Sequence, residues 1–270
     1  MPRRPMTIDQ RRTLVILLVI AAVIGALCLV GAILYGILEV AAKRKYTLGE
    51  AGATDKLVLS DLFTFSRSFW YITLLCVVFY SAIFPFRSFS IKYFIEAWDV
   101  ARDVAGQYNS VLPLAAMIAT PLFGLMCDKL GKRALFMMFG SILLMPVYLM
   151  MAYQVVPLTV PVVLMGIAFS LIPAVMWPSV AYIVDEKRLG TAYAVMTLVQ
   201  QLGVMGVPLV IGFLNDHYQA SAANPAGHNP GMWAFSILGF LALFFAVMLR
   251  REETGPNAHG LETITASSKD

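Results

Sequence analysis

Long apolar runs alternate with short polar stretches along this chain. The runs fall at approximately 13–40, 68–95, 108–127, 134–153, 156–184, 191–215 and 231–249. A hydrocarbon core about 30 Å thick needs roughly 20 apolar residues of helix to cross it. Lipid offers the backbone no hydrogen-bond partner, so every run is predicted to be helical. The expected fold class is therefore an all-α, polytopic membrane protein with seven transmembrane helices. The first run follows MPRRPMTIDQRR, a start that could introduce a signal peptide. It is too long for a signal sequence and ends in Ala41-Ala42-Lys43-Arg44-Lys45, a stop-transfer pattern, so it reads as a retained helix.

The polar stretches give a sidedness. Lys43, Arg44, Lys45, Lys56, Arg67, Lys129, Lys132, Arg133, Lys187, Arg188, Arg250, Arg251 and Lys269 fall on one side of the alternation. Arg3, Arg4, Arg11, Arg12, Arg87, Lys92 and Arg102 fall on the other. The larger set is expected in the cytoplasm. This puts the N-terminal arginines outside, an unfavourable start that eases if residues 1–12 normally follow other helices or are not the natural beginning. Four segments are expected: 1–40 with the first helix, a cytoplasmic linker at 41–67, a six-helix bundle at 68–249, and a disordered cytoplasmic tail at 250–270. Residues 216–230 read as an external polar loop.

Composition agrees with lipid as the solvent. Of 270 residues, 59% are hydrophobic and 13% charged, and the mean hydropathy is +0.76. The net charge of +4 is small and divided among short loops, which fits anionic headgroups and argues against nucleic acid. Cys28, Cys76 and Cys127 each lie in an apolar run and read as small buried residues. His217, His228 and His259 are too scattered for a metal site. No cofactor, metal or catalytic group is expected, and the chain does not read as an enzyme.

The most informative motif is Gly124-Leu-Met-Cys-Asp128-Lys129-Leu-Gly131-Lys132-Arg133, between the third and fourth runs. Glycine suits a loop where backbones crowd and φ turns positive. The basic residues would hold the loop at the headgroups, and Asp128 would accept from the N–H groups of a neighbouring helix end. The segment resembles the loop signature of the major facilitator superfamily, which recurs between helices eight and nine. Trp177-Pro178-Ser179-Val180-Ala181, then Leu189-Gly190-Thr191-Ala192-Tyr193 and Gln200-Gln201-Leu202-Gly203, resemble helices ten and eleven of the lysosomal dipeptide transporter branch. Phe84-Pro85-Phe86, Lys92 and Asn109-Ser110 resemble the same branch. The likeness runs from about Ala26 to Arg250.

That resemblance implies helix six, the central linker and helices seven to twelve of the superfamily fold. Helices one to five have no counterpart, and Arg87 stands where an apolar residue is usual. It also implies that Asp128 braces a helix of an N-terminal half.

Superfamily transporters bind substrate near the midplane between two rocking halves. Tyr80, Phe84 and Arg87, spaced i, i+4, i+7, are expected on one face of a cavity wall. Arg87 lies roughly 27 Å from Phe69 at 1.5 Å per residue. It either snorkels to headgroups or attracts a substrate carboxylate. Tyr193, Thr197, Gln200 and Gln201 share a face that either lines the cavity or bonds a neighbouring helix. Trp177, with Pro173 and Pro178, forms either a hinge or simple packing. Asn109 is a further cavity candidate. No Asp or Glu lies mid-helix, which suits a uniporter or places coupling in the other half.

The expected function is transport of a small organic solute, dipeptides by resemblance, with an N-terminal half or a second copy as partner. The competing reading is a non-transporting truncated or accessory membrane protein; a seven-helix receptor fits the loops poorly. Short loops favour a bacterial inner membrane, and the resemblance a lysosomal one in a eukaryote.

Overall fold

Helix lengths in the computed structural model, which describes residues 8–45, 64–256 and 258–265, follow the apolar runs closely. The helices are α1 (Ile8–Lys45), α2 (Arg67–Trp98), α3 (Arg102–Leu130), α4 (Arg133–Tyr153), α5 (Thr159–Ile183), α6 (Leu189–His217) and α7 (Asn229–Glu253). Short 3-10 turns at Glu186–Arg188 and Pro225–His228 precede α6 and α7. All seven helices are long and apolar enough to span a bilayer. No strand occurs among the described residues, apart from one isolated bridge between Ser221 and Asn224. Residues 46–63, which hold most of the expected linker and Lys56, lie outside the described residues, as do 1–7 and 266–270.

Where the boundaries differ from the hydropathy, local chemistry explains it. α3 starts at Arg102, well before the apolar run at 108, because the polar turn Arg102–Gln107 is compatible with a helix that hydropathy does not detect. Asp103 in its first turn complements the helix dipole. α5 starts at Thr159, beyond Pro157. α7 opens with Pro at its start, where the missing N–H has no intrahelical partner to lose.

Two units divide the chain, residues 1–53 and 54–270. In the first, α1 is a single 38-residue helix whose apolar part, Leu18–Ala42, has no polar face. In the second, α2 is the most enclosed helix, packed against α7 and α6 and touching α3 and α5. α4 lies between α7 and α5, and α3 runs along α5. Small residues sit at the crossings, as close packing without a hydrophobic drive requires. A Cβ on Gly239 would stand 3.2 Å from the Met145 Cα, and one on Gly166 would stand 2.7 Å from the Ala115 Cβ.

Residues 128–133, 185–190, 250–256 and 258–265 gather at one end of the bundle. Ser68 at the start of α2 donates to Glu253 at the end of α7, 2.6 Å away. Arg133 approaches Tyr182, and Arg188 donates to Thr64 at 2.9 Å. The tail departs from the expected disorder. α7 continues through Arg250 to Glu253, and residues 258–265 return to pack on the loop between α3 and α4, with Leu261 fully buried. At the opposite end His228 is buried and meets Glu96 at 3.1 Å, so the 216–230 loop is tied down at its end.

Candidate functional site

An aromatic wall spans three helices. On α2, Tyr80 and Phe84 lie one turn apart and stack with centroids 5.4 Å apart. On α5, Phe169 meets both rings edge-on, at 6.4 Å from Tyr80 and 5.9 Å from Phe84. Trp177, two turns further along α5, meets Tyr80 at 6.4 Å and Tyr193 of α6 at 5.9 Å. Hydrogen bonds run through the same rings. The Tyr193 hydroxyl donates to the Trp177 carbonyl at 3.0 Å, and the Trp177 indole N–H donates to the Tyr80 hydroxyl at 2.9 Å. Tyr80 is buried, whereas Phe84, Phe169, Trp177 and Tyr193 are half-buried and keep part of each ring accessible. Ring pairs of this geometry contribute about 0.5–1.5 kcal/mol each beyond area burial. The arrangement can hold an amphipathic solute by stacking while hydroxyl and indole groups orient it.

Phe169 was not among the residues singled out by sequence. Its spacing of two turns from Trp177 was visible, but in a helix apolar on every side a phenylalanine looks like any lipid-facing residue. Pro173 and Pro178 lie inside an unbroken α5 and withdraw partners from the Phe169 and Ala174 carbonyls. Prolines also interrupt α2, α3, α4 and α6, so α5 is not set apart by having them.

Arg87, one turn beyond Phe84 on α2, shares with Asn109 a crevice between α2, α3 and α5 lined also by Tyr108, Leu112 and Met165. α2 continues to Trp98, so Arg87 is about 16 Å from the helix end at 1.5 Å per residue. Its Nε is buried without a hydrogen-bond partner. Nε is the guanidinium nitrogen nearest the stem, so its burial is compatible both with a head group that snorkels and with a cation that faces the crevice.

The polar residues of α6 divide. Tyr193 joins the aromatic wall. Gln200 accepts from the Cys76 thiol at 3.4 Å, a bond between helices. Thr197 and Gln201 are exposed. The sequence had no signal for Cys76 as a partner.

The loop between α3 and α4 is ordered by a buried arginine. Gly131 has φ +66° and Lys132 φ 47°, so the chain reverses through two left-handed residues. Arg133 is 3% exposed, although headgroup contact was expected of it. Its guanidinium donates to Asp128 at 3.1 Å and to the Ile264 carbonyl at 2.9 Å, and it lies 4.5 Å from the Tyr182 ring centre. Asp128 thus has a partner within this bundle. The N–H groups at the start of α4 are met by residues 261 and 262. Gly124 is half-buried within α3, and Lys129 and Lys132 are exposed at this end.

Six packed helices with a reversed, arginine-braced loop at one end and a half-open aromatic wall within make an integral, multi-pass helical membrane protein. The Major Facilitator Superfamily profile matches residues 86–267, and the chain belongs to that family. Over 204 residues the chain is 33% identical to lysosomal dipeptide transporter MFSD1 of Danio rerio and 30% identical to that of Homo sapiens. Each alignment covers 76% of this chain and 44% of the relative. The Gallus gallus protein of the same name is 33% identical over 168 residues, 62% of this chain and 38% of that one. The chain therefore spans less than half the length of these relatives.

Proposed function

We propose that this protein forms one wall of a membrane transporter that moves a small organic solute, a dipeptide, by alternating access. The observation that carries the proposal is the Tyr80–Trp177–Tyr193 chain of hydrogen bonds, which fixes the half-buried rings of α5 and α6 on the buried Tyr80 of α2 in one wall. A dipeptide has a flat amide backbone, two side chains and a charge at each end. Aromatic faces suit the first two, and Arg87 with Asn109 offers a cation and an amide for the carboxylate. The dipeptide class is taken from the relatives, which are lysosomal dipeptide transporters. The wall carries no carboxylate, which suits uniport or places any proton coupling in the second bundle.

Alternating access needs two bundles closing over one site. We infer that the wall meets a second six-helix bundle, supplied by other polypeptide or by a second copy of this chain, and that residues 128–133, 185–190 and 250–270 face the cytoplasm. The membrane is a bacterial inner membrane, or the lysosomal membrane in a eukaryotic cell. Reconstitution with and without a co-expressed N-terminal bundle tests the reading. Saturable dipeptide flux that needs the second bundle, and falls on Trp177→Leu, is the expected result. An assembled, folded complex that moves no dipeptide would refute it, and flux from a monomeric chain alone would remove the need for a second bundle.

A further inference from the structure

We propose that residues 253–256 and 258–265 form a strap that positions the signature loop, with Glu253 and Glu262 as its two anchoring carboxylates. The proposal rests on the reading above, in which this loop belongs to the moving part of a transporter.

The first observation is a helix that does not cap itself. α4 begins at Arg133, and Lys132 at its N-cap offers no side-chain bond. The N–H groups at such a start have no intrahelical acceptor. Here the strap accepts three of the four in succession. Lys132 N–H donates to the Glu262 carbonyl at 3.3 Å, and Arg133 N–H to the Leu261 carbonyl at 3.1 Å. Ala134 N–H donates to the Glu262 carboxylate at 2.9 Å. A carboxylate at this position also meets the positive end of the α4 dipole.

The loop is shaped to receive the strap. A Cβ on Gly131 would stand 3.3 Å from the Glu262 carbonyl oxygen and 3.4 Å from that of Ile264. Glycine at 131 therefore serves the backbone reversal and leaves room for the strap. Arg133 is shared between the two partners, one nitrogen on the Ile264 carbonyl and the other on Asp128. Asp128 is 59% exposed at its side chain, so the strap and the solvent-facing carboxylate hold the same guanidinium from opposite sides.

The far end of the strap is fixed by Glu253. Its side chain is fully buried. It accepts from Ser68 Oγ at 2.6 Å, from the His259 backbone at 2.9 Å, from the Leu261 backbone at 3.4 Å, and meets His259 Nδ1 at 2.8 Å. A buried carboxylate is tolerated when its lone pairs are met in this way. Leu261 fills the apolar gap between the two anchors. The strap thus joins the start of α2, the start of α4 and the end of α7, and sets how much of Arg133 remains for Asp128. Glu253 and Glu262 act through the loop, so they are positioning residues.

Cys127 supplies a reporter. It lies one turn before Gly131, is 2% exposed, and its thiol points to the Gly131 carbonyl at 3.7 Å. Cys76, fully buried in α2, reports the integrity of the bundle. In the 270-residue chain carrying Cys28→Ala, purified in detergent, maleimide labelling is followed at both thiols. Glu262→Ala is expected to speed labelling of Cys127 about tenfold, a change of 1.4 kcal/mol in the opening equilibrium, with Cys76 unchanged. Glu262→Gln keeps a carbonyl acceptor for Ala134 N–H and is expected to stay close to the parent. A stop codon after Gly255 should speed Cys127 labelling at least as much as Glu262→Ala. Unchanged Cys127 labelling in both the alanine variant and the truncation would overturn the proposal. Equal acceleration at Cys76 in both would also overturn it, because the tail would then be holding the whole bundle together. Labelling needs no substrate, so its failure and a failure to transport are separate outcomes.

Discussion

Gly203 marks the place where α6 comes closest to the wall helix α2, and adding one methyl there tests whether this crossing is as tight as drawn. A Cβ at 203 would run into Ser81 Oγ and stand 2.8 Å from Val77 Cγ1. Val77 can turn away, but Ser81 is 1% exposed and its hydroxyl is boxed in without a hydrogen-bond partner. Gly203→Ala must therefore shift the helices or strain both side chains, at about 1–3 kcal/mol for an overpacked core. Ser81→Ala removes the obstructing oxygen and leaves the Ser81 Cβ at 3.7 Å, an ordinary contact. Alone, Ser81→Ala should be neutral or slightly stabilising, since it deletes an unsatisfied buried hydroxyl. Combined, the two substitutions should recover a coupling of about 1 kcal/mol. Detergent unfolding titrations on the four proteins of the cycle measure it. Strictly additive effects, or a Gly203→Ala protein as stable as the parent, would refute the close crossing.

Three other outcomes are expected. Trp177→Phe keeps a ring but removes the donor to Tyr80, so it should lower stability by about 1 kcal/mol; Trp177→Leu should also lose ring stacking and fall further in the same titration. Gly131→Ala places a side chain at φ +66° and against the Glu262 carbonyl, and should destabilise the loop by about 1–3 kcal/mol, read as faster proteolysis at this end; an unchanged protein would remove the argument for glycine there. In a cysteine-free protein in intact cells, a cysteine replacing Lys187 should resist an impermeant maleimide while one replacing Ala222 reacts, and the reverse pattern would invert the proposed sidedness.

What could be read from the chain was what a bilayer dictates. Each run near 20 residues became a helix because no other structure satisfies the backbone in lipid. The i, i+4 pair Tyr80 and Phe84 was legible for the same reason, since one helix fixes both positions. What was not legible depended on partners far along the sequence. Arg133 looked like a headgroup-facing cation, but Tyr182, 49 residues later, supplies a polar aromatic partner, and Ile264, 131 residues later, supplies a carbonyl. Glu253 falls in the stretch expected to be a disordered tail, and Ser68, 185 residues away, together with His259 and Leu261, accounts for its burial. Gln200 had a suitable face for a cavity, yet its nearest bond is to a cysteine on another helix.

These long-range contacts bear on how such a bundle can work. Apolar packing gives little drive for association in lipid, because the tails are as apolar as the side chains. The bundle is instead fastened at its two ends. At one, Arg133, Asp128, Tyr182, Glu253 and Glu262 tie α2, α3, α4, α5 and α7 to the tail. At the other, Tyr93 donates to the Met151 carbonyl at 2.7 Å, Gln154 bonds the Ala97 carbonyl, and His228 meets Glu96, which also pairs with Lys92 at 3.9 Å. Between these ends lies the aromatic wall, whose rings stay partly accessible. In a rocking mechanism a bundle moves as a body while its binding face meets first one opening and then the other. Polar fastening at the ends allows this, because it keeps five of the helices in register and leaves the accessible rings in the middle, where α6 is held by Gln200 to Cys76 and by Tyr193 to Trp177.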